Sequence, residues 1–349
     1  MGDDTPAILS KNMLPAVSNT EGGFLNNRRQ PAQSTVRTLG IDLQHTGRPQ
    51  TKLEVLWSKP IEGVKGESTG RSGVERLFFG TSMNTITSSD GTTIAYDVAG
   101  SGPTAVIVDG ALTTRSSGSK PELVRFLSQH LTVFSYDRRG RGDSGDNPAY
   151  AVDREVEDIE ALVAIAGGKA CLYGHSSGAA LAFEAALKLG NRVKALAMYE
   201  APYNDDAEAQ NAWKEYRSQL ADLLNAGRGG DAVALFMKLV GMPAEQISGM
   251  RHAPVWPMFE ALGPTLAYDH IGVMGETAAV PIARAAHLTI PVLVMSGSAS
   301  YPFMSKTALA LSKAFPNGKL RALAGQTHDV NPEMLAPVLV SFFRDHDLR

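Results

Sequence analysis

Five consecutive residues, Gly174-His175-Ser176-Ser177-Gly178, place one serine between two glycines in a G-x-S-x-G spacing. The apolar run Ala170-Cys171-Leu172-Tyr173 precedes them, and a small-residue helical pattern over 177–189 follows. A serine on a sharp strand-to-helix turn is pushed outward, and the flanking glycines let neighbouring backbone approach without a Cβ clash. The helix start beneath it favours developing negative charge. Ser176 is therefore expected to be a nucleophile, and the backbone N–H of Ser177 one donor to an oxyanion. A serine hydroxyl is a weak nucleophile and needs a base. The chain has eight histidines from which to draw one.

The elements that must hold these residues follow an alternation of short apolar runs and longer helical patterns. Strands are expected at 92–98, 105–108, 131–136, 170–173, 193–199, 291–295 and 320–323. Helices are expected at 121–130, 153–166, 177–189 and 332–343. Over 153–166 the residues Val156, Ile159, Leu162 and Val163 make one apolar stripe. Alternating strands and helices predict an α/β fold, a mostly parallel sheet flanked by helices. Between Pro202 and about Leu288 the strand rhythm stops. Helical stretches at 207–226 and 231–240 and a Met/Trp/Pro-rich patch predict an inserted helical lid over about 203–288. The first 82 residues hold turn-forming clusters such as Glu21-Gly22-Gly23 and no sustained period. They read as a poorly patterned N-terminal extension with one short strand at 53–57. The domain is expected to run from 83 to 349.

Length and composition bound the function. At roughly 150 residues per domain, 349 residues make one or two domains with a sizeable core. A net charge of −3 gives no reason to expect a nucleic-acid partner. The single Cys171 forms no internal disulfide, and no Cys/His zinc spacing occurs, so no metal is expected. No apolar run reaches the roughly 18 residues of a membrane span, and the start MGDDTPAILS lacks a signal pattern. A soluble, cytoplasmic protein with reduced thiols is expected. No dinucleotide fingerprint or P-loop appears, and no cofactor is inferred.

Over residues 83–344 the chain resembles the α/β-hydrolase fold family. The G-x-S-x-G turn carries the resemblance, and Tyr136-Asp137-Arg138-Arg139-Gly140-Arg141-Gly142-Asp143-Ser144 supports it as the family's D-x-R-G-x-G-x-S loop. The Arg141-Gly142-Asp143 tripeptide inside that loop is read as a structural turn rather than an adhesion motif. The family's order places the base last, in a loop after the final strand. That implies His328 in Gly325-Gln326-Thr327-His328-Asp329. His175, one residue before the serine, is expected to pack inward.

The triad acid departs from the usual pattern. Where the family carries Asp in a G-x-x-D loop, this chain reads Gly297-Ser298-Ala299-Ser300. Serine supplies no negative charge to stabilise an imidazolium. The alternative is an acid at the end of the strand after the serine turn, in Ala197-Met198-Tyr199-Glu200-Ala201-Pro202. This is similar to the haloalkane dehalogenase subgroup and implies Glu200, with Asp205, Asp206 and Asp329 as the alternatives. Glu200 paired with an arginine of the 138–141 loop is the structural reading to set beside it. The second oxyanion donor is expected from Asp109-Gly110-Ala111, where many relatives have His-Gly. Ala111 would donate, Asp109 would turn away, and Ser116 and Ser117 would line the entrance or belong to an ordinary loop.

Dehalogenation needs an aspartate nucleophile, whereas Ser176 suits acyl transfer. The resemblance thus implies a carboxylic ester hydrolase working through an acyl-enzyme on a small-molecule ester. Met242, Met250, Trp256, Met258, Phe259, Leu262, Tyr268, Ile271 and Met274 suit an uncharged substrate, or form the insert's own core. A lactone, amide, C–C or peracid substrate, a ligand receptor with slow turnover, and a protein-binding role for the N-terminal extension remain open at this point.

Overall fold

The computed structural model describes residues 84–347. The extension set apart over 1–82, with its strand at 53–57, lies outside the described residues. Eight strands form one sheet: β1 (Asn84–Thr87), β2 (Thr93–Ala99), β3 (Thr104–Val108), β4 (Thr132–Tyr136), β5 (Ala170–His175), β6 (Val193–Tyr199), β7 (Val292–Gly297) and β8 (Gly318–Leu323). Their order is β1-β2-β4-β3-β5-β6-β7-β8. β1 pairs antiparallel with β2 and β2 with β4. Every pair from β4 onward is parallel. The expected mostly parallel sheet is thus present, with an antiparallel hairpin added at one edge. That hairpin's first strand, Asn84-Thr85-Ile86-Thr87, alternates half-buried and exposed residues and has one apolar side chain. It carries too little pattern to be read in isolation.

The helices in chain order are α1 (Lys120–Leu127), α2 (Val152–Ile165), α3 (Ser177–Leu189), α4 (Ala207–Asn225), α5 (Gly229–Leu239), α6 (Ala244–Arg251), α7 (Trp256–Leu262), α8 (Ile282–Ala285), α9 (Pro302–Ala314) and α10 (Pro332–Asp347). Successive strand residues point to opposite faces of the sheet, and the central strands are covered on both. Val106, Leu172, Met198 and Val294 pack with Val156 and Ile159 of α2, the alanines of α3 and Leu311 of α9. Their neighbours Ile107, Tyr173, Ala197 and Met295 pack on the other side with Leu123 and Leu127 of α1 and Leu335, Leu339 and Phe343 of α10. Burial on both faces explains why these strands read as continuous apolar runs. In α3, Ala179, Ala180, Ala182, Ala185 and Ala186 are all fully buried, and their small side chains seat the helix close against β5. α9 was not among the expected helices.

Between β6 and β7 lie α4 to α8, a 3₁₀ turn at Gly263–Thr265 and a π-helical turn at Tyr268–Val273. This insert has its own core of Tyr216, Leu220, Val233, Met237, Trp256, Leu262 and Leu266, joined by Leu112 from the loop after β3. Trp256 and Leu262 lie in that core, and Met242, Met250, Phe259 and Ile271 pack partly against it. Most of that apolar set therefore supports the insert itself, the second of the two readings given for it. No helix among the described residues is long and apolar enough to cross a membrane.

Candidate active site

In a parallel sheet, ligands gather at the carboxyl ends of the strands. All the residues singled out for chemistry follow such ends. Asp109 to Ala111 follow β3, Ser176 follows β5, Glu200 follows β6, Ser300 follows β7 and His328 follows β8. Ser176 has φ 56° and ψ −131°, a left-handed backbone that side chains rarely adopt. Its N–H is held by Tyr199 O at 3.0 Å. Gly178 makes the turn possible, because a Cβ there would lie 2.3 Å from Val108 O and 2.5 Å from the Asp109 backbone. A Cβ on Gly110 would come within 2.9 Å of Ser176 Cβ, so the loop after β3 passes directly against the serine. Leu112 (φ 56°) and Glu200 (φ 49°) share the left-handed region. Three of the four such non-glycine residues among the described residues thus lie around this site. Strain of that kind persists only where surrounding structure enforces it.

Glu200 and His328 are brought together. His328 Nδ1 lies 2.8 Å from Glu200 Oε2, with the Glu200 side chain fully buried and the imidazole about one-third exposed. Since a carboxylate only accepts, Nδ1 carries the proton and Nε2 is left with a free lone pair. Ser300 Oγ donates to the same Oε2 at 2.8 Å, and Gly297 N–H donates to Oε1 at 2.8 Å. The serine in the position where the family usually has aspartate is therefore bonded to Glu200. Two further groups fix the His328 loop. Tyr199 Oη donates to Thr327 O at 2.5 Å, and His175 Nε2 lies 2.9 Å from His328 O. Burial and the neighbouring His328 push the His175 imidazole down to about 3. It is neutral and donates Nε2–H to that carbonyl. Sequence reasoning had His175 packing inward and missed this bond, which joins residues 153 positions apart.

Two of the three alternative acids are engaged elsewhere. Asp205 accepts from Val280 N–H at 2.9 Å, and Asp206 caps α4 through Ala209 N–H at 2.9 Å. The arginine pairing considered for Glu200 does not occur. Arg138 grips Glu155 with both arms of its guanidinium, at 2.6 and 2.7 Å, and Arg139 grips Asp158 likewise, at 2.8 and 2.7 Å. Asp109, beside the serine turn, pairs with Lys120 at the start of α1. Burial pushes the Asp109 carboxyl up and the Lys120 ammonium down. Both shifts disfavour charge on this pair beside the loop after β3. Ser117 closes a local turn on Thr114 rather than lining an entrance. Ser176 Oγ holds no hydrogen bond among the described residues, while the His328 ring lies 4.9 Å from the His175 ring, beside the serine turn. In unliganded sites the serine–imidazole bond is commonly long and tightens with substrate. No metal-ligating cluster occurs among the described residues.

The remaining histidines are placed apart. His270 is buried in the insert, with Nδ1 2.7 Å from Tyr216 Oη. His252 bonds Ser248 O at 2.8 Å. His130 and His287 are exposed and His346 is buried in α10, while His45 lies outside the described residues.

Known proteins share this arrangement of elements. An alpha/beta hydrolase from Sphaerobacter thermophilus is 47% identical, with a TM-score of 0.66 over 74% of this chain and 100% of that one. A 2-(acetamidomethylene)succinate hydrolase from Mesorhizobium japonicum is 28% identical over 70% of this chain and 88% of its own length. A thermophilic esterase from Thermogutta terrifontis, solved with malate bound, shares the fold at 20% identity, with a TM-score of 0.55 over 76% of this chain and 99% of that one. Residues 90–339 match the alpha/beta hydrolase family, to which this chain belongs.

Proposed function

We propose that the chain is a serine hydrolase that cleaves neutral carboxylic esters through an acyl-enzyme, with the helical insert as the cover of its site. The observation that carries this is the hydrogen bond from His328 Nδ1 to the buried Glu200 at 2.8 Å, beside the Ser176 turn. Ser176 Oγ attacks the ester carbonyl carbon as its proton passes to His328 Nε2. The carbonyl electron pair moves onto oxygen, which accepts from the Ala111 and Ser177 N–H groups. Collapse re-forms the carbonyl and expels the alkoxide, which takes the proton from His328. Water then attacks the acyl carbon, giving its proton to His328, and the second collapse returns that proton to Ser176 and releases the acid. Glu200 stabilises the imidazolium in both halves.

The charges on the strand-end loops support a neutral acyl group. On the loops leaving β3 and β4, Arg115, Arg138, Arg139 and Arg141 all pair with carboxylates, as does Lys120. The loops leaving β5, β6, β7 and β8 carry no lysine or arginine before the next helix. A carboxylate on the substrate would meet no uncommitted cation there. The Mesorhizobium relative, named for a succinate substrate with an acetamido group, supports a second reading in which an amide is cleaved by the same groups.

The test is steady-state hydrolysis of p-nitrophenyl acetate, butyrate and octanoate, with p-nitrophenyl hemisuccinate and p-nitroacetanilide for comparison, by wild type and Ser176→Ala. Turnover of the neutral esters that disappears in Ser176→Ala, with the hemisuccinate at least about tenfold slower in kcat/KM, is the expected result. Faster anilide cleavage would favour the amide reading. Turnover unaffected by Ser176→Ala would refute both.

A further inference from the structure

The insert reaches the chemistry through one buried carboxylate. We propose that Asp269, on the π-helical turn of the insert, is a positioning residue that sets both halves of the oxyanion hole; this rests on the acyl-transfer reading above. Asp269 is fully buried, and its Oδ1 accepts from Ser177 Oγ at 2.7 Å and from Arg138 Nη1 at 2.6 Å. Its Oδ2 accepts from Arg141 Nη2 at 2.5 Å. The same two guanidinium groups hold the loop after β3. Arg138 Nη1 donates to Asp109 O at 3.0 Å, and Arg141 Nη1 to Gly110 O at 2.5 Å.

The consequence follows from peptide geometry. In a trans peptide the C=O of one residue and the N–H of the next point in opposite directions. Fixing Gly110 O on Arg141 therefore fixes the direction of the Ala111 N–H. Fixing Asp109 O on Arg138 does the same for the Gly110 N–H. On the other side of the hole, the Ser177 hydroxyl ties to Asp269 the residue whose own N–H is the second donor. Asp269 is the shared anchor of both donors, so their separation is set by side chains with little freedom to move.

The electrostatics allow this. Burial alone would raise the Asp269 carboxyl, but Arg138 and Arg141 outweigh it and hold the group below the ordinary carboxylate range. Glu155 supplies the second negative charge, and Tyr150 Oη donates to it at 2.8 Å. Two buried cations are thus matched by two buried anions. Tyr268 stacks on Tyr150 at 3.9 Å between ring centroids, seating the π turn on the same cluster. Tyr268 and Asp269 thus tie the π turn to the loops after β3, β4 and β5.

The experiment compares wild type with Asp269→Asn. In this variant the amide oxygen keeps the Ser177 and Arg138 bonds while its NH₂ opposes Arg141. The readouts are kcat and KM for p-nitrophenyl acetate and inhibition by butylboronic acid, whose tetrahedral adduct on Ser176 places a hydroxyl in the oxyanion hole. Removing one oxyanion donor costs about 10²–10³-fold, and loosening one is expected to cost about 10–100-fold. That loss should appear in kcat and equally in boronate affinity, with KM within about twofold. A merely structural residue would lower the active fraction without weakening the boronate. Unchanged boronate affinity, or a loss confined to KM, overturns the proposal. If Asp269→Asn does not fold, Ser177→Ala, which removes only the tethering hydroxyl, takes its place with the same two outcomes. No Ser176-dependent turnover and no boronate binding by wild type would overturn this assignment and the acyl-transfer reading together. Turnover with an indifferent Asp269→Asn would overturn this assignment alone.

Discussion

Glu200 Oε2 receives two hydrogen bonds, from His328 Nδ1 and Ser300 Oγ, so two strand ends jointly place one negative charge against the imidazole. Bonds to a charged group are worth about 1.5–3 kcal/mol. Glu200→Gln, which removes the charge, is expected to lower kcat on p-nitrophenyl acetate at least about hundredfold. Ser300→Ala removes one bond and is expected to cost about tenfold. The exchange Glu200→Ser with Ser300→Asp should recover activity over Glu200→Ser alone, because the carboxylate then enters from the β7 loop. Ser300→Asp alone should lower activity and Tm, since two carboxylates would crowd one site. Equal activities across this set, in parallel kinetic and thermal assays, would show that the carboxylate does not act through His328. Local sequence made part of this visible: Gly297-Ser298-Ala299-Ser300 lacks an acid, and Glu200 ends a strand. The service of Ser300 to Glu200 was not visible, because it joins residues 100 positions apart.

Elements that pack at backbone distance place the serine. Gly178→Ala would drive a Cβ to 2.3 Å from Val108 O, forcing α3 off the loop after β3. A loss on the order of 1–3 kcal/mol in urea unfolding is expected. Gly110→Ala meets Ser176 Cβ at 2.9 Å and should reduce kcat by about tenfold or more with little change in stability. The turn was legible because its geometry is local: strand, glycine, serine, glycine, helix. The β3, β5, β6 and β7 runs were legible because both faces are buried. β1 and the short helices of the insert were not: they are too brief or too polar to read alone, and pairing with distant segments holds them in place. α9, with Met304, Thr307, Ala308 and Leu311 on one buried stripe, carries a readable helical pattern that was passed over. Asp269 also escaped notice, because nothing near Tyr268-Asp269-His270 announces partners at Arg138 and Ser177.

Across the whole molecule, burial sets the response to acid. Burial lowers the His270 imidazole to about 4 and that of His175 to about 3. Unfolded, each takes up its proton near pH 6.5. The unfolded state therefore binds more protons below that pH, and stability falls as pH drops from about 6.5 toward 4. The contribution of His270 alone is on the order of 3 kcal/mol. His270 faces Asp269, Arg138, Arg141 and Tyr216, and Asp269, held ionised when folded, acts in the same sense at still lower pH. His270→Asn should flatten the slope of urea-unfolding free energy across this window, and an unchanged slope would contradict its burial as a neutral group. Wild-type protein mixed with p-nitrophenyl acetate, quenched in acid within the first turnover and weighed by intact-mass spectrometry is predicted to carry one acetyl group, located on Ser176 by peptide mapping. Glu200→Gln should accumulate it more slowly, and Ser176→Ala not at all. Release of p-nitrophenol with no acetylated protein at any quench time, or acetyl on another residue, would contradict the account.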